Sequence, residues 1–244
     1  MEKAYDDMKV LYSNGDSVIW GAELENKTEE RFSKLLADKL KMVDCNNASA
    51  GVSNDYIYRQ TMRDVSHWLD TKQIWSEESD WVSADEILII IGWTSPTRFE
   101  WWNGQQYIQE RLWTGYDKWG NPDLHRTTED EFVLHQTELI PSYIRTLNHI
   151  NALHAFLTVN TIPHYFFNVF YEYEDLYEPT DKIDTFGRKN YQLSTNSLLK
   201  LTPNSFRSKT MYNYIKENGG GFLPRNHPDK LSHKLWAEFL FKEV

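Results

Sequence analysis

Four short segments of the chain hold residue types suited to attack on a carbonyl. The first is Asn14-Gly15-Asp16-Ser17, which closes a short apolar run. A serine at a strand-to-helix turn can present its hydroxyl and its own backbone N–H to a bound acyl group. Turns favour Gly, Asp and Ser on conformational grounds alone, so the triplet gains meaning only from its position. The second segment, Asn46 to Asn54, contains Gly51, whose missing side chain lets its N–H approach a ligand; its plain alternative is a turn capped by Ser53 or Asn54. The third, Gly92-Trp93-Thr94-Ser95-Pro96-Thr97-Arg98, offers hydroxyl donors and a cation that can pair with an acid or clamp an acidic group of a substrate. The fourth, Asn226-His227-Pro228-Asp229, supplies an imidazole able to act as a base on a serine near the first strand.

The elements that must position these segments follow from apolar periodicity. Lys9 to Ser13 reads as a buried strand, Thr28 to Lys41 as a helix with an acidic first turn, and Met42 to Asn46 as a second strand. A helix is predicted from about Asn54 to Leu69, and Glu86 to Ile91, EILIII, forms the clearest central strand. Helical spacing returns from Glu131 to about Leu157, a strand follows near His164 to Val169, and residues 171 to 203 read as irregular. Helices are expected from Ser205 to Glu217 and from Asp229 to Lys242, the latter capped by Asp229. This alternation predicts one α/β domain over residues 1 to 244, a three-layer α/β/α sandwich on a flavodoxin-like parallel sheet. Residues from about 94 to 130 lack a clean period and form a Trp-rich insertion.

Composition narrows the classes further. A net charge of −10 argues against nonspecific nucleic-acid binding, which needs clustered cations to neutralise phosphates. The single cysteine, Cys45, excludes an intrachain disulfide and leaves no thiol cluster for a metal. The acidic start, MEKAYDDMKV, lacks the apolar run of a secretory signal, and no stretch reaches the length of a membrane span. A soluble protein, cytoplasmic in the producing cell or virion-associated, is expected. Ten tryptophans exceed what a core of this size needs. Aromatic surplus suits stacking on sugar rings, and equally a satellite core or a docking surface for a virion or homo-oligomer contact.

In order along the chain these segments resemble the GDSL/SGNH hydrolase superfamily. Ser17 matches the nucleophile of the GDS block, Gly51 the block II glycine, Gly92 the first residue of block III, and His227 the catalytic histidine. The closing stretch His227-Pro228 to His233 and Trp236-Ala237 is similar to the family's HP…H…WA segment. The phrases GVSND, IGWTSPTR and HPDKLSHKLWAEFL also resemble a divergent SGNH-like group encoded by tailed bacteriophages. The resemblance implies a serine ester hydrolase without metal or organic cofactor. Ser17 would be nucleophile, His227 base, and the N–H groups of Ser17 and Gly51 with Thr94 the oxyanion donors. Asp16, Asn54, Arg98, Trp93, Trp101 and Trp102 would contact the substrate, a small-molecule or glycan ester and, in particular, an acetylated carbohydrate on which Trp101, Trp102, Trp113 and Trp119 stack.

Two positions depart from that pattern. Thr94 stands where the family has an oxyanion asparagine, and Pro224 stands where the acid three residues before the histidine belongs. Asp229 and Glu217 are candidate replacements for the acid. His233 reads more simply as a packing or capping residue than a catalytic one. A second reading therefore remains, a binding or structural module, such as a virion component, that keeps the fold without turnover. A third, a nucleotide or flavin binder, is disfavoured because no Gly-rich phosphate loop follows any strand.

Overall fold

The computed structural model describes residues 9–77, 80–96, 98–111, 139–170 and 209–244, with the backbone alone at 101, 102, 108–111 and 139–141. Four parallel strands form the central sheet: β1 (Lys9–Asn14), β2 (Val43–Asn46), β5 (Glu86–Trp93) and β8 (His164–Asn168). Their order, β2-β1-β5-β8, occupies the first four places of the flavodoxin-like 2-1-3-4-5 arrangement. The central pair is long, with Lys9 to Asn14 in register with Glu86 to Ile91.

Alternation along each strand splits the core into two faces. Tyr12, Ile89, Ile91 and Phe166 point to the side covered by α4 (Asn54–Thr71) and α5 (Leu139–Val159). Leu11, Ile90 and Phe167 point to the side covered by α1 (Ser17–Trp20), α3 (Phe32–Leu40), α6 (Met211–Glu217) and α7 (Lys230–Glu243). The α/β/α sandwich expected from the sequence is the fold observed.

Several boundaries differ from the expected ones for physical reasons. The single helix expected over Thr28 to Lys41 is two, α2 (Lys27–Glu30) and α3, separated by Arg31 in an extended conformation (φ −68°, ψ 150°). That break carries the Arg31 guanidinium inward to Asp44 on β2. Two antiparallel hairpins also went unread: β3 (Gln73–Ser76) with β4 (Asp80–Ser83), and β6 (Arg98–Trp102) with β7 (Tyr107–Arg111). The second hairpin lies in the stretch expected to be a Trp-rich insertion, and a bidentate pair from Arg59 to Glu100 (2.8 and 3.0 Å) ties it to α4. The rest of the insertion, with Trp113 and Trp119, and the segment read as irregular lie outside the described residues. No helix among the described residues is long and apolar enough to cross a membrane.

His233 has the packing and capping role read from the sequence. Its Nδ1 accepts the Phe32 N–H (3.2 Å) at the start of α3, and its ring stacks on Phe32. An accepting Nδ1 requires the neutral ring, and burial lowers the His233 pKa to about 3. In the unfolded chain the ring protonates near pH 6.5. The contribution is therefore complete above about pH 6.5 and is lost as pH falls from there towards about 3. The expected slope approaches about 1.4 kcal/mol per pH unit. Urea unfolding at pH 7.5 and 5.0 should show a flatter dependence in His233→Asn, which keeps an acceptor but does not titrate. Equal slopes in both proteins would remove this role from His233.

Candidate active site

Ser17 reaches its position through two close approaches. At Gly15 a methyl group would lie 2.2 Å from Ile19 Cγ1 and 2.8 Å from the Gly92 carbonyl oxygen, and at Gly92 it would lie 2.3 Å from Ile19 Cδ1. Only glycine at both positions lets Ile19 seat α1 against the ends of β1 and β5. These two strands flank the point where the strand order reverses, the place where open α/β sheets bind ligands.

Asp16 caps α1 by accepting the Val18 N–H through Oδ1 (3.0 Å). Its Oδ2 accepts from the Thr94 hydroxyl (2.7 Å) and from Arg98 Nη1 (2.8 Å). Asp16 is fully buried, so this carboxylate is an internal counter-charge that joins the ends of β1 and β5. Its expected contact with substrate is corrected accordingly. Thr94, also fully buried, spends its hydroxyl on Asp16 and is no oxyanion donor. Asn54 is likewise committed: Oδ1 accepts the Thr94 N–H (2.9 Å) and Nδ2 donates to the Thr94 carbonyl (3.0 Å). Trp93 is a core residue, packed edge-on against Phe166. Trp101 and Trp102 lie on β6, and their side chains are outside the described residues. Gly51 sits in the loop after β2 with φ +80°, a conformation that favours glycine.

The last turn before α7 delivers His227. Leu223 N–H donates to the His227 carbonyl (2.7 Å), Asn226 N–H to the Leu223 carbonyl (2.8 Å), and Asp229 caps α7 at the Ser232 N–H (2.8 Å). The Tyr212 hydroxyl donates to the Asn226 carbonyl. Burial raises the Tyr212 phenol well above its ordinary value, with the Asp16 charge adding to it, so it remains a donor. Across 210 residues of sequence, His227 Nε2 comes to 3.0 Å from Ser17 Oγ.

The other ring nitrogen, Nδ1, lies 2.6 Å from Glu23 Oε2. A carboxylate accepts there, so Nδ1 carries the proton and Nε2 is free to accept from the serine hydroxyl. Glu23 Oε2 also accepts the Arg225 N–H (3.2 Å). The hydrogen bond from His227 is the chief reason that the Glu23 carboxyl is held below the usual carboxylate range. Glu23 stands in the loop after α1 with φ +68°, and Asn226, next to His227, has φ +63°. The conformation is costly for the glutamate and better tolerated by asparagine, and the two residues bracket the hydrogen-bonded array.

Neither replacement acid named from the sequence serves His227: Asp229 caps α7, and Glu217 pairs with Lys209. Glu23 was missed because motif spacing looks for the acid just before the histidine. Its only sequence signal is its position six residues after Ser17. Also missed were Phe170, Tyr212, Lys216, Phe222 and Arg225, which with Ser17, Arg98 and His227 line a cavity of about 480 Å³.

Fold and site together define a parallel α/β/α protein with a serine–histidine–glutamate array at the carboxyl ends of its strands. The sequence matches no known family profile and no curated protein. Solved structures similar to it include a lipolytic protein of the G-D-S-L family from Desulfitobacterium hafniense DCB-2 (13% identity, TM-score 0.47, 98% of this chain and 100% of that one). Two others are the psychrotrophic esterase EstA from Pseudoalteromonas sp. (12%, TM-score 0.46, 96% and 94%) and the acetyl xylan esterase AlAXEase (13%, TM-score 0.46, 97% and 100%).

Proposed function

We propose that the chain is a GDSL/SGNH-type serine ester hydrolase working through an acyl-enzyme on Ser17. The observation that carries this reading is the continuous array Ser17 Oγ, His227 Nε2, His227 Nδ1, Glu23 Oε2, with gaps of 3.0 and 2.6 Å. Ser17 Oγ attacks the acyl carbon while His227 Nε2 takes its proton, and the Glu23 carboxylate stabilises the resulting imidazolium. The tetrahedral oxyanion is held by the N–H groups of Ser17, at the head of α1, and Gly51. As the ester bond breaks, His227 returns the proton to the departing alcohol oxygen. Water then gives a proton to His227 and its oxygen to the acyl carbon, and Ser17 leaves with that proton to release the acid.

A cavity of about 480 Å³ with cations and aromatic rings on its wall suits a compact ester of a polar alcohol, and we infer an acetylated carbohydrate in preference to a long-chain lipid. The phrases that resemble the phage-encoded SGNH-like group support a phage-related branch within this reading, and with it a protein of the producing cell's cytoplasm or of a virion. The module without turnover loses one of its two supports, since Glu23 stands where the missing acid at Pro224 argued for it; the other, Thr94, supplies no oxyanion donor. Labelling with a fluorophosphonate tests the central claim. One adduct on the Ser17 peptide is expected, absent in Ser17→Ala and reduced in His227→Ala. Intact protein that takes no label at Ser17 refutes it.

A further inference from the structure

The cavity beside Ser17 is cationic in a chain whose net charge is −10. Arg98, Lys216 and Arg225 line it, together with the rings of Phe170, Tyr212 and Phe222. Lys216 and Arg225 are exposed at its mouth, and among the described residues no acid pairs with either side chain. Arg98 forms the inner wall with its side chain 15% exposed. Its Nη1 is taken by Asp16 and by a long contact to the Val52 carbonyl. No described residue accepts from its Nε or Nη2, and the Phe170 ring lies 5.9 Å away. Asp16 offsets the Arg98 charge, and Glu23, which faces His227 and accepts the Arg225 N–H, also acts on the Arg225 charge, so the three cations of the wall meet two carboxylates and Lys216 has no ion-pair partner among the described residues.

We propose that this wall selects esters carrying an anionic group, a carboxylate or a phosphate, a few bonds from the acyl carbon. Arg98 supplies two donors in one plane to the anion at the inner wall, while Lys216 and Arg225 draw it in from the mouth. The inference rests on the hydrolase reading for the bond that is cleaved, but not for the anion.

Three acetates separate the possibilities: neutral phenyl acetate, 4-acetoxybenzoate and 4-acetoxyphenyl phosphate. Differences in their intrinsic reactivity cancel when variants are compared as ratios of kcat/KM, anionic over neutral. Lys216→Ala and Arg225→Ala should each lower that ratio about 3–10-fold, mainly through KM, and added salt should shrink the difference. A larger loss on the phosphate than on the carboxylate identifies the preferred anion. Arg98→Gln also removes the partner of Asp16, so the Lys216→Ala/Arg225→Ala double variant carries the test if Arg98→Gln does not fold. The corresponding phenols, 4-hydroxybenzoate and 4-hydroxyphenyl phosphate, titrated calorimetrically, give a readout without turnover. Anion binding that weakens in the double variant sustains the proposal even if no ester is cleaved. Unchanged ratios, or equal phenol binding by wild type and double variant, overturn it while leaving the hydrolase reading intact.

Discussion

Replacing Glu23 with Gln is expected to lower kcat by roughly 10³–10⁴-fold and to cost little more once Ser17 is already Ala. The amide can point its NH₂ at His227 Nδ1, which then must accept, and the proton moves to Nε2 where it faces the serine hydroxyl. A base in that tautomer cannot take the Ser17 proton. The ground-state contacts with an ester are untouched, so KM should hold while kcat falls. Glu23→Asp keeps the charge but withdraws it by one methylene from a 2.6 Å contact, and an intermediate loss is expected. The double variant separates catalysis from scaffolding, because residues that act as one unit are strongly non-additive. Steady-state kinetics on phenyl acetate supply the measurement. If Glu23→Gln retained more than about a tenth of wild-type kcat, the glutamate would be a fixture of the turn and not the third member of the array.

The same glutamate marks where sequence reading stopped. Strands buried on both faces announce themselves as apolar runs, so β5 was legible from Glu86 onward, whereas Gly15 and Gly92 read only as a turn residue and a motif match, and their close approach to Ile19 belongs to the fold. Ser17 and His227 were named from motif order, and the fold brings them within hydrogen-bond reach. Polar residues near a predicted site were harder. Asp16, Asn54 and Thr94 have the side chains a substrate would want, yet their hydrogen bonds are spent on one another, on backbone and on the side chains of Arg98 and Thr146. Residue type alone does not say which way a side chain turns. Trp93 shows the converse, since it stands at the carboxyl end of the central strand like a site residue and is packed in the core against Phe166. The short hairpins lacked an apolar run long enough to register, and the break at Arg31 had no local cause at all, arginine being a good helix former.

That break has a tertiary cause, and removing it should give the largest loss of stability. Arg31 Nε and Nη2 donate to Asp44 Oδ2 at 3.0 and 2.6 Å, and the two side chains are 1% and 4% exposed. Ser33 leans on the same oxygen (3.4 Å) and also accepts from Asn46, which holds the Ile19 carbonyl (2.9 Å) and hence the end of α1. Asp44→Ala leaves a guanidinium buried without its counter-ion and should cost about 3–5 kcal/mol, read as a lower urea midpoint at unchanged m. Asp44→Asn retains an acceptor and should cost less. The pair itself is a different matter: desolvating two ions consumes most of what their attraction returns, so Arg31→Met with Asp44→Leu should recover most of the loss. A double variant as unstable as Asp44→Ala would show that the pair is needed to hold the extended turn at Arg31. If that turn relaxed into one continuous helix, α1 would lose its support through Asn46, and the Ser17-to-His227 contact should fail with it. Phenyl acetate turnover in the folded double variant reads this directly: full activity means the kink serves stability alone, and lost activity with a restored urea midpoint means it also aims the nucleophile.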